Sequence, residues 1–221
     1  MNHLIVVSGG MDSATLLYKV KKGIGKTKGA VFAISFDYNQ THKRELICAK
    51  QLCKRLKINH TVIKLDFMGK ILKNNSQTNK KVKVPEGRYD AENMKLTVVP
   101  NRNMIFISIA AAYAIEQKID NIYYGAHLGD HAIYADCRKV FVDALEMVLK
   151  LCDYRKLNLI APFINMTKGD IARLGKKLGV PFQDTHSCYK GKIKPCGKCG
   201  ACTERKEAFQ FAKCKDPLIK D

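Results

Sequence analysis

The stretch VVSGGMDSATLL, residues 6–17, joins an apolar run to a segment with helical periodicity. The run that ends at Val7 is aliphatic and predicts a strand, whereas Leu16, Leu17 and Val20 recur at helical spacing. The glycines and serines between them therefore predict a tight loop from strand to helix. Such junctions bind phosphate in α/β proteins, because the first amides of the helix point at the ligand.

The residue types in this loop suit a pyrophosphate group. Gly9 and Gly10 lack β-carbons, so their amides can close around an anion, and Ser8 and Ser13 add hydroxyl donors. Asp12 would either hold Mg²⁺ or cap the helix. The simpler alternative is a glycine turn that only joins the strand to the helix.

Another phosphate motif is excluded by its spacing. Gly25-Lys26-Thr27 resembles the end of a Walker loop, but Val20 stands where that motif needs its first glycine. We interpret the glycines at 23, 25 and 29 as the end of one helix and the approach to the next strand.

Composition predicts one α/β domain with a small appendage. The 221 residues suffice for a full core, which we assign to residues 1–184, and a cysteine-rich segment follows at 185–221. No apolar run reaches the length of a membrane span, and the chain enters a strand at once, so we expect a cytoplasmic protein without a membrane partner. The net charge of +19 fits either an anionic partner or a lysine-rich surface.

Apolar runs alternate with helical patterns along the chain. This alternation implies right-handed crossovers and a five-stranded parallel sheet. Thr167 and Asp170 form a capping-box pattern at the start of the last predicted helix, and Gly179 ends that helix. Residues 68–97 have weak periodicity and predict a long excursion over the active face. The predicted strands are 3–8, 30–37, 60–66, 121–126 and 158–163, and the predicted helices are 13–22, 41–57, 102–118, 138–152 and 168–178.

Four cysteines lie within HSCYKGKIKPCGKCGAC, residues 186–202. Disulfides are rare in the cytosol, so Cys188, Cys196, Cys199 and Cys202 predict a closed, structural zinc site. Free or redox-active thiols and an iron–sulfur cluster are the alternatives.

Three further segments place polar side chains near the ends of predicted strands. GAHLGDHAIYADCRKVF, residues 125–141, carries Asp136 and Arg138, which could recognise a guanine-like edge or a carboxylate, or could be a helix cap and a solvated arginine. YNQTH at 38–42 and VVPNRN at 98–103 fit anion or base recognition beside the same crevice.

The opening loop resembles that of the ATP pyrophosphatases, and the joint pattern with YADCR and the cysteine cluster resembles the 7-cyano-7-deazaguanine synthases, or QueC family. The resemblance implies a sheet of order 3-2-1-4-5 of the adenine-nucleotide α-hydrolase type. It implies that 7-carboxy-7-deazaguanine is adenylated by ATP, converted to the amide by ammonia and dehydrated to the nitrile by a second ATP. It also implies Mg²⁺, Zn²⁺ and a homodimer, without direct nucleic-acid binding.

The resemblance carries roles for individual residues. Three residues would carry the chemistry: Asp12, Lys168 and Arg138. The deazapurine would be bound by Tyr134, Asp136 and Arg138. ATP and its metal would be held by Val7, Ser8, Gly9, Gly10, Met11, Asp12, Ser13, Ser35, Tyr38 and Arg102.

The sequence departs from the family pattern at two positions: many members have glycine where Asn101 stands and proline where Ala135 stands. The alternatives left open are a variant that stops at the amide or uses another amine, a tRNA-modifying ATP pyrophosphatase, and a zinc-stabilised nucleic-acid-binding module.

Overall fold

A computed structural model describes residues 1–24, 29–89 and 92–218. Five parallel strands form one sheet in the order β3-β2-β1-β4-β5, which confirms the predicted order 3-2-1-4-5. The strands are β1 (His3–Val6), β2 (Val31–Asp37), β3 (Asn59–Lys64), β4 (Asn121–Tyr123) and β5 (Asn158–Ile160). From β1 the chain adds β2 and β3 on one side and then returns to add β4 and β5 on the other, so the topological switch point lies between β1 and β4. Open α/β sheets bind ligands at such a switch point.

Seven α-helices connect or follow these strands in the described part of the chain. They are α1 (Met11–Ile24), α2 (Arg44–Arg55), α3 (Asp66–Ile71), α4 (Arg102–Glu116), α5 (Lys139–Leu149), α6 (Lys168–Leu178) and α7 (Gly200–Phe211). The five predicted helices correspond to α1, α2, α4, α5 and α6, whereas α3 and α7 were not predicted. The Walker-like Gly25-Lys26-Thr27 lies outside the described residues.

Helices cover both faces of the sheet. On one face, buried residues of α4 and α5 pack with strand residues such as Leu4 and Ile122. On the other face, α1, α2, α6 and α7 pack around Ile5 and Ala33. Phe209 of α7 belongs to this second core, so the segment after residue 184 is packed against the sheet domain. The division at 184/185 stays a prediction.

The predicted ends of α6 are confirmed. Thr167 accepts a hydrogen bond from Asp170 N, and the Asp170 carboxylate accepts one from Thr167 N, which completes the capping box. Gly179 ends the helix in the left-handed conformation, with a φ of 70°. Lys168 is thereby fixed at the first position of α6.

The predicted excursion begins with α3 and ends with the 3₁₀ helix Glu92–Thr97. By length and composition alone, the helical stretch Glu92–Glu116 could cross a membrane, a feature that the sequence expectation missed. This stretch is broken at residues 98–101, and its α4 part packs against β1 and β4. One such stretch is weak support for a membrane span, since core helices share this composition.

The β1–α1 loop lies against the backbone of α2. Gly9 has a φ of +98°, and a β-carbon there would lie 1.9 Å from the Glu45 carbonyl oxygen. On its other side the Gly9 carbonyl accepts a hydrogen bond from His186 N, 3.0 Å away. Glycine is thus required at position 9 by both conformation and space.

Replacing Gly9 with alanine should lower the free energy of unfolding by at least about 2 kcal/mol, because the chain must move away from α2. Gly179→Ala is the matched control: it also forces a positive φ, but no atom lies within 4 Å of its β-carbon position. We expect the control to cost about 1 kcal/mol. Urea denaturation followed by circular dichroism measures both, and equal losses would contradict the role of the contact with α2.

Candidate active site

A cavity of about 220 Å³ opens at the carboxyl ends of β1, β2 and β4. It is lined by the β1–α1 loop, by residues after β2 and β4, by Tyr89 of the excursion and by Tyr189 of the cysteine segment. The site therefore combines parts of the chain that lie far apart in sequence.

The loop amides are already hydrogen-bonded by serine side chains. Ser13 Oγ accepts from Ser8 N at 3.2 Å and from Gly9 N at 3.1 Å, and Ser8 Oγ accepts from Gly10 N at 3.3 Å. Five of the residues predicted to hold ATP or its metal line the cavity: Val7, Ser8, Gly10, Asp12 and Ser13. Gly9 shapes the loop through its backbone, whereas the Met11 side chain is buried in the core.

Asp12 and Lys168 both line this cavity and contact each other there. Lys168 Nζ lies 3.2 Å from Asp12 Oδ2 and 2.6 Å from Glu204 Oε2. Burial alone would lower the pKa of Lys168, but the two carboxylates outweigh it and raise the pKa above its usual value, so the lysine is charged. Burial raises and the Lys168 and His127 charges lower the pKa of Asp12, with a net lowering, so this carboxyl is ionised.

His127 faces Asp12 and Asp130 from the loop after β4. Its Nε2 lies 3.4 Å from Asp130 Oδ2 and 3.7 Å from Asp12 Oδ2. Burial lowers the pKa of His127, whereas Asp130 and Asp12 raise it, to about 9 in their combined effect. Gly129 N donates to Nδ1 at 3.1 Å, and this hydrogen bond requires an unprotonated Nδ1, so it opposes the charged form of the ring that the two carboxylates favour.

On the side of β2, the structure brings Tyr38 to the cavity but not Ser35. Tyr38 is buried, lines the cavity and lies with its ring centroid 5.3 Å from that of Phe106. Ser35 Oγ instead donates to the Val7 carbonyl and bonds His60 Nε2 inside the sheet layer. Its hydroxyl is used by the fold, so the structure does not place the Ser35 side chain where a nucleotide could contact it.

On the side of α4, Arg102 and Tyr134 line the cavity, and the Arg102 guanidinium lies 5.9 Å from the Tyr134 ring centroid. Asp136 is one step removed: its carboxylate accepts a hydrogen bond from Asn103 N, and Asn103 itself lines the cavity.

The Arg138 side chain is exposed, and its Nε donates to the His131 carbonyl at 2.9 Å. Arg138 is not among the described residues that line the cavity. Arg138 has an extended backbone at the start of α5, and its side chain makes no capping hydrogen bond to that helix. The structure therefore does not bring this predicted residue to the site.

The four cysteines converge beside the cavity. Their sulfur atoms all lie within 4.8 Å of one another, and those of Cys196 and Cys202 are 3.9 Å apart. A tetrahedral zinc site with bonds of about 2.3 Å spaces its sulfurs about 3.8 Å apart. The donor set thus fits a single thiophilic ion, whereas an iron–sulfur cubane would hold its thiolates farther apart.

Sequence reasoning missed several residues of the site. Tyr89 donates to Asp130 Oδ1 at 3.0 Å, and Tyr134 and Tyr189 join hydroxyl to hydroxyl at 3.2 Å. Glu204 was missed because one glutamate in a charged helix gives no signal of its own. Tyr189 could have been suspected from its position next to Cys188.

The structure also accounts for Asn101, at a position where the family resemblance leads us to expect glycine in many members. Asn101 has a φ of 59° at the start of α4. Asparagine is among the residues that best tolerate this left-handed conformation. The substitution therefore keeps the backbone that places Arg102 and Asn103.

Solved structures share this architecture at low sequence identity. A U34-tRNA thiolase, NcsA, from Methanococcus maripaludis matches all of this chain and 76% of its own, with a TM-score of 0.56 and 15% identity. An NMN synthetase from Francisella tularensis matches 96% of this chain and 77% of its own, with a TM-score of 0.52 and 18% identity. At these identities the likeness concerns the fold alone.

Sequence comparison is more specific. Residues 2–213 match the family described as queuosine biosynthesis protein QueC. A 7-cyano-7-deazaguanine synthase of Methanoregula boonei is 50% identical over 99% of this chain and 98% of its own length. One of Caldicellulosiruptor saccharolyticus is 49% identical over 99% and 95%. The family match and these identities show that this chain belongs to the QueC family.

Proposed function

We propose that the protein is a 7-cyano-7-deazaguanine synthase, an ATP-dependent ligase that converts 7-carboxy-7-deazaguanine and ammonia to the nitrile. The observation that carries this proposal is the single cavity that joins the β1–α1 loop to an aromatic pocket, in a chain about half identical over its whole length to relatives of that name. The product would serve nucleic-acid modification, with queuosine as the destination that the family's name indicates.

The chemistry needs an activated carboxyl group, because a carboxylate is a poor electrophile. Attack of the carboxylate on the α-phosphate of ATP gives an acyl adenylate and pyrophosphate, and ammonia then displaces AMP to leave the amide and a proton. A second ATP activates the amide oxygen in the same way, and loss of AMP and a proton gives the nitrile. Each activation expels a pyrophosphate whose charge the amides of Gly9 and Gly10 and the Lys168 ammonium can stabilise.

A divalent cation fits beside Asp12. Asp12 Oδ1 is buried and has no hydrogen-bond partner among the described residues, although the carboxylate is charged. An ionised oxygen without a donor is costly unless a ligand satisfies it, and carboxylate oxygen is what Mg²⁺ prefers. Bound Mg²⁺ would neutralise phosphate charge at this end of the cavity.

For the acceptor, we assign the aromatic side of the cavity. Tyr38 and Phe106 offer ring faces to a planar heterocycle, and Arg102 offers a permanently charged fork to a carboxylate. We therefore assign Tyr38 and Arg102 to the acceptor, although the resemblance gives both residues to ATP. Tyr134 closes the same side, where its hydroxyl bonds Thr97 at 2.6 Å. Asp136 would act through Asn103, and Arg138 would only tie the loop before α5.

We assign zinc to the four cysteines, with a structural role. A complete four-sulfur set leaves no open position for a substrate. We also place the protein in the cytoplasm, where such thiolates stay reduced, and expect no direct nucleic-acid partner.

A homodimer is supported by the outer face of α5. Val142, Leu145 and Leu149 are buried against the sheet, yet Val140 is 73% and Met147 69% exposed on the other side of the helix. A helix that is apolar on both sides is normally covered on both.

The charges beside this face of α5 are paired, Lys139 with Asp143 and Lys150 with Glu146, so the face is neutral on a chain of net charge +19. A second copy suits it better than an anionic polymer does.

The function is tested by product analysis. The purified protein with ATP, Mg²⁺, ammonium and 7-carboxy-7-deazaguanine should release AMP and pyrophosphate and form the nitrile, detected by mass spectrometry, without tRNA. Asp12→Asn should lower AMP formation by about 100-fold or more. Asp66→Asn, an exposed first-turn aspartate of α3, should not. Adenylation that requires tRNA would contradict the proposal, and accumulation of the amide would restrict it to the first half of the reaction.

The metal assignment is tested by elemental analysis. We expect about one zinc per chain, consistent with a four-thiolate site. Cys199→Ser should lose most of it and lower the unfolding temperature, whereas Cys152→Ser, at an exposed cysteine, should change neither. Iron with acid-labile sulfide in place of zinc would refute the assignment.

The dimer is tested by sedimentation velocity. Met147→Glu should give monomers at concentrations at which the wild type is a dimer, because a charge would be buried at the contact. Ile47→Glu, at an equally apolar and 55% exposed site on α2, should remain a dimer. A dimer that persists in Met147→Glu would exclude α5 as the interface.

A further inference from the structure

Glu204 is a buried carboxylate that contacts the cavity residue Lys168 without lining the cavity itself. It lies on α7, is 8% exposed, and is not one of the described residues that line the cavity. Its Oε2 accepts a hydrogen bond from Lys168 Nζ at 2.6 Å. Its Oε1 packs against Gly129, where an added β-carbon would lie 2.9 Å away. Glu204 can therefore reach a bound nucleotide only through Lys168.

Lys168 is shared between two carboxylates that differ in what else they can do. Asp12 lines the cavity and keeps the partnerless Oδ1, whereas Glu204 is enclosed by α7 and the loop after β4. The Tyr89 ring, whose centroid lies 5.5 Å from Nζ, covers a further side of the ammonium. The contact with Glu204 is the shorter of the two, 2.6 Å against 3.2 Å, so Glu204 holds the lysine more closely than Asp12 does.

The formal charges of these three side chains determine how much negative charge remains on Asp12. Burial raises the pKa of Glu204, but the Lys168 ammonium, 2.6 Å away, favours its ionised form. With both carboxylates ionised, Asp12, Glu204 and Lys168 together carry one net negative charge, whereas Asp12 and Lys168 alone would carry none. In the absence of Glu204 the ammonium would neutralise Asp12 and hold its carboxylate. With Glu204 present, the aspartate charge remains for another cation.

Resting on the proposed function, we propose that Glu204 is a positioning residue: by holding the Lys168 ammonium, it leaves the charge and the free oxygen of Asp12 to a divalent cation that arrives with the nucleotide. Its place on α7 connects the site to the cysteine cluster, because Cys199 precedes α7 and Cys202 lies in its first turn. The next residue of α7, Arg205, is anchored by an ion pair with Asp216, in which Nε lies 2.6 Å from Oδ2.

The test measures binding of the cation itself. Mn²⁺ is titrated into the zinc-loaded protein with α,β-methylene-ATP, and bound Mn²⁺ is followed by electron paramagnetic resonance. Glu204→Gln keeps the size and an acceptor oxygen but removes the charge, so the Mn²⁺ concentration at half-saturation should rise about tenfold. Glu207→Gln, an exposed glutamate on the same helix, is the matched control and should bind as the wild type does.

A double variant separates this charge effect from a merely structural one. Lys168→Met with Glu204→Gln leaves Asp12 as the one charge of the three, so the Mn²⁺ concentration at half-saturation should fall below that of Glu204→Gln. The comparison is made at saturating analogue, because Lys168 also contributes to nucleotide binding. Glu204→Asp, which keeps the charge, should bind better than Glu204→Gln. Zinc content and unfolding temperature show whether each variant is folded.

Wild-type affinity in Glu204→Gln, or no recovery in the folded double variant, would overturn the proposal. A wild type that binds no Mn²⁺ with the nucleotide analogue would overturn it too. Because no deazapurine is present, these outcomes are distinct from failure of the proposed function, which would appear as intact Mn²⁺ binding without the nitrile product.

Discussion

The close approach of Gly9 to α2 is the constraint on which the site depends. Gly9 fits within van der Waals reach of the Glu45 carbonyl only because it has no β-carbon, and its own carbonyl is held by His186 N. The β1–α1 loop is thus fixed between a helix of the sheet domain and the start of the cysteine segment. Fixed amides stabilise an anion more effectively than amides that must be reorganised, because their orientation is set during folding.

The sequence was sufficient for the sheet and for the loop, since both are determined by local patterns. Alternating apolar runs and helical periods predicted a parallel sheet, the family resemblance supplied its strand order, and the capping box of Thr167 and Asp170 located α6 to the residue. The short helix α3 was missed because six residues carry too little periodicity to be recognised. Helix α7 was missed because its charged residues, Glu204 and Arg205, are buried by pairing and not by apolar character.

The candidate site was harder to predict because it is built from tertiary contacts. Whether Arg138 or Arg102 reaches the cavity depends on the direction in which each backbone leaves its loop, and no residue pattern contains that direction. Tyr89 and Tyr189 lie 100 positions apart, yet both reach the neighbourhood of Asp130 and Tyr134. Asp136 was predicted to contact the substrate, whereas its carboxylate accepts a hydrogen bond from Asn103 N, and it is Asn103 that lines the cavity.

The serine hydroxyls that already occupy the loop amides affect how the products leave. An incoming phosphate must compete with Ser8 and Ser13 for the donors, so it exchanges existing hydrogen bonds instead of satisfying vacant ones. The net gain from each exchanged bond is small. Under the proposed function, such a loop would discriminate by shape and total charge and would retain the pyrophosphate product only weakly, which would favour turnover in a reaction that clears the same position twice for every product molecule.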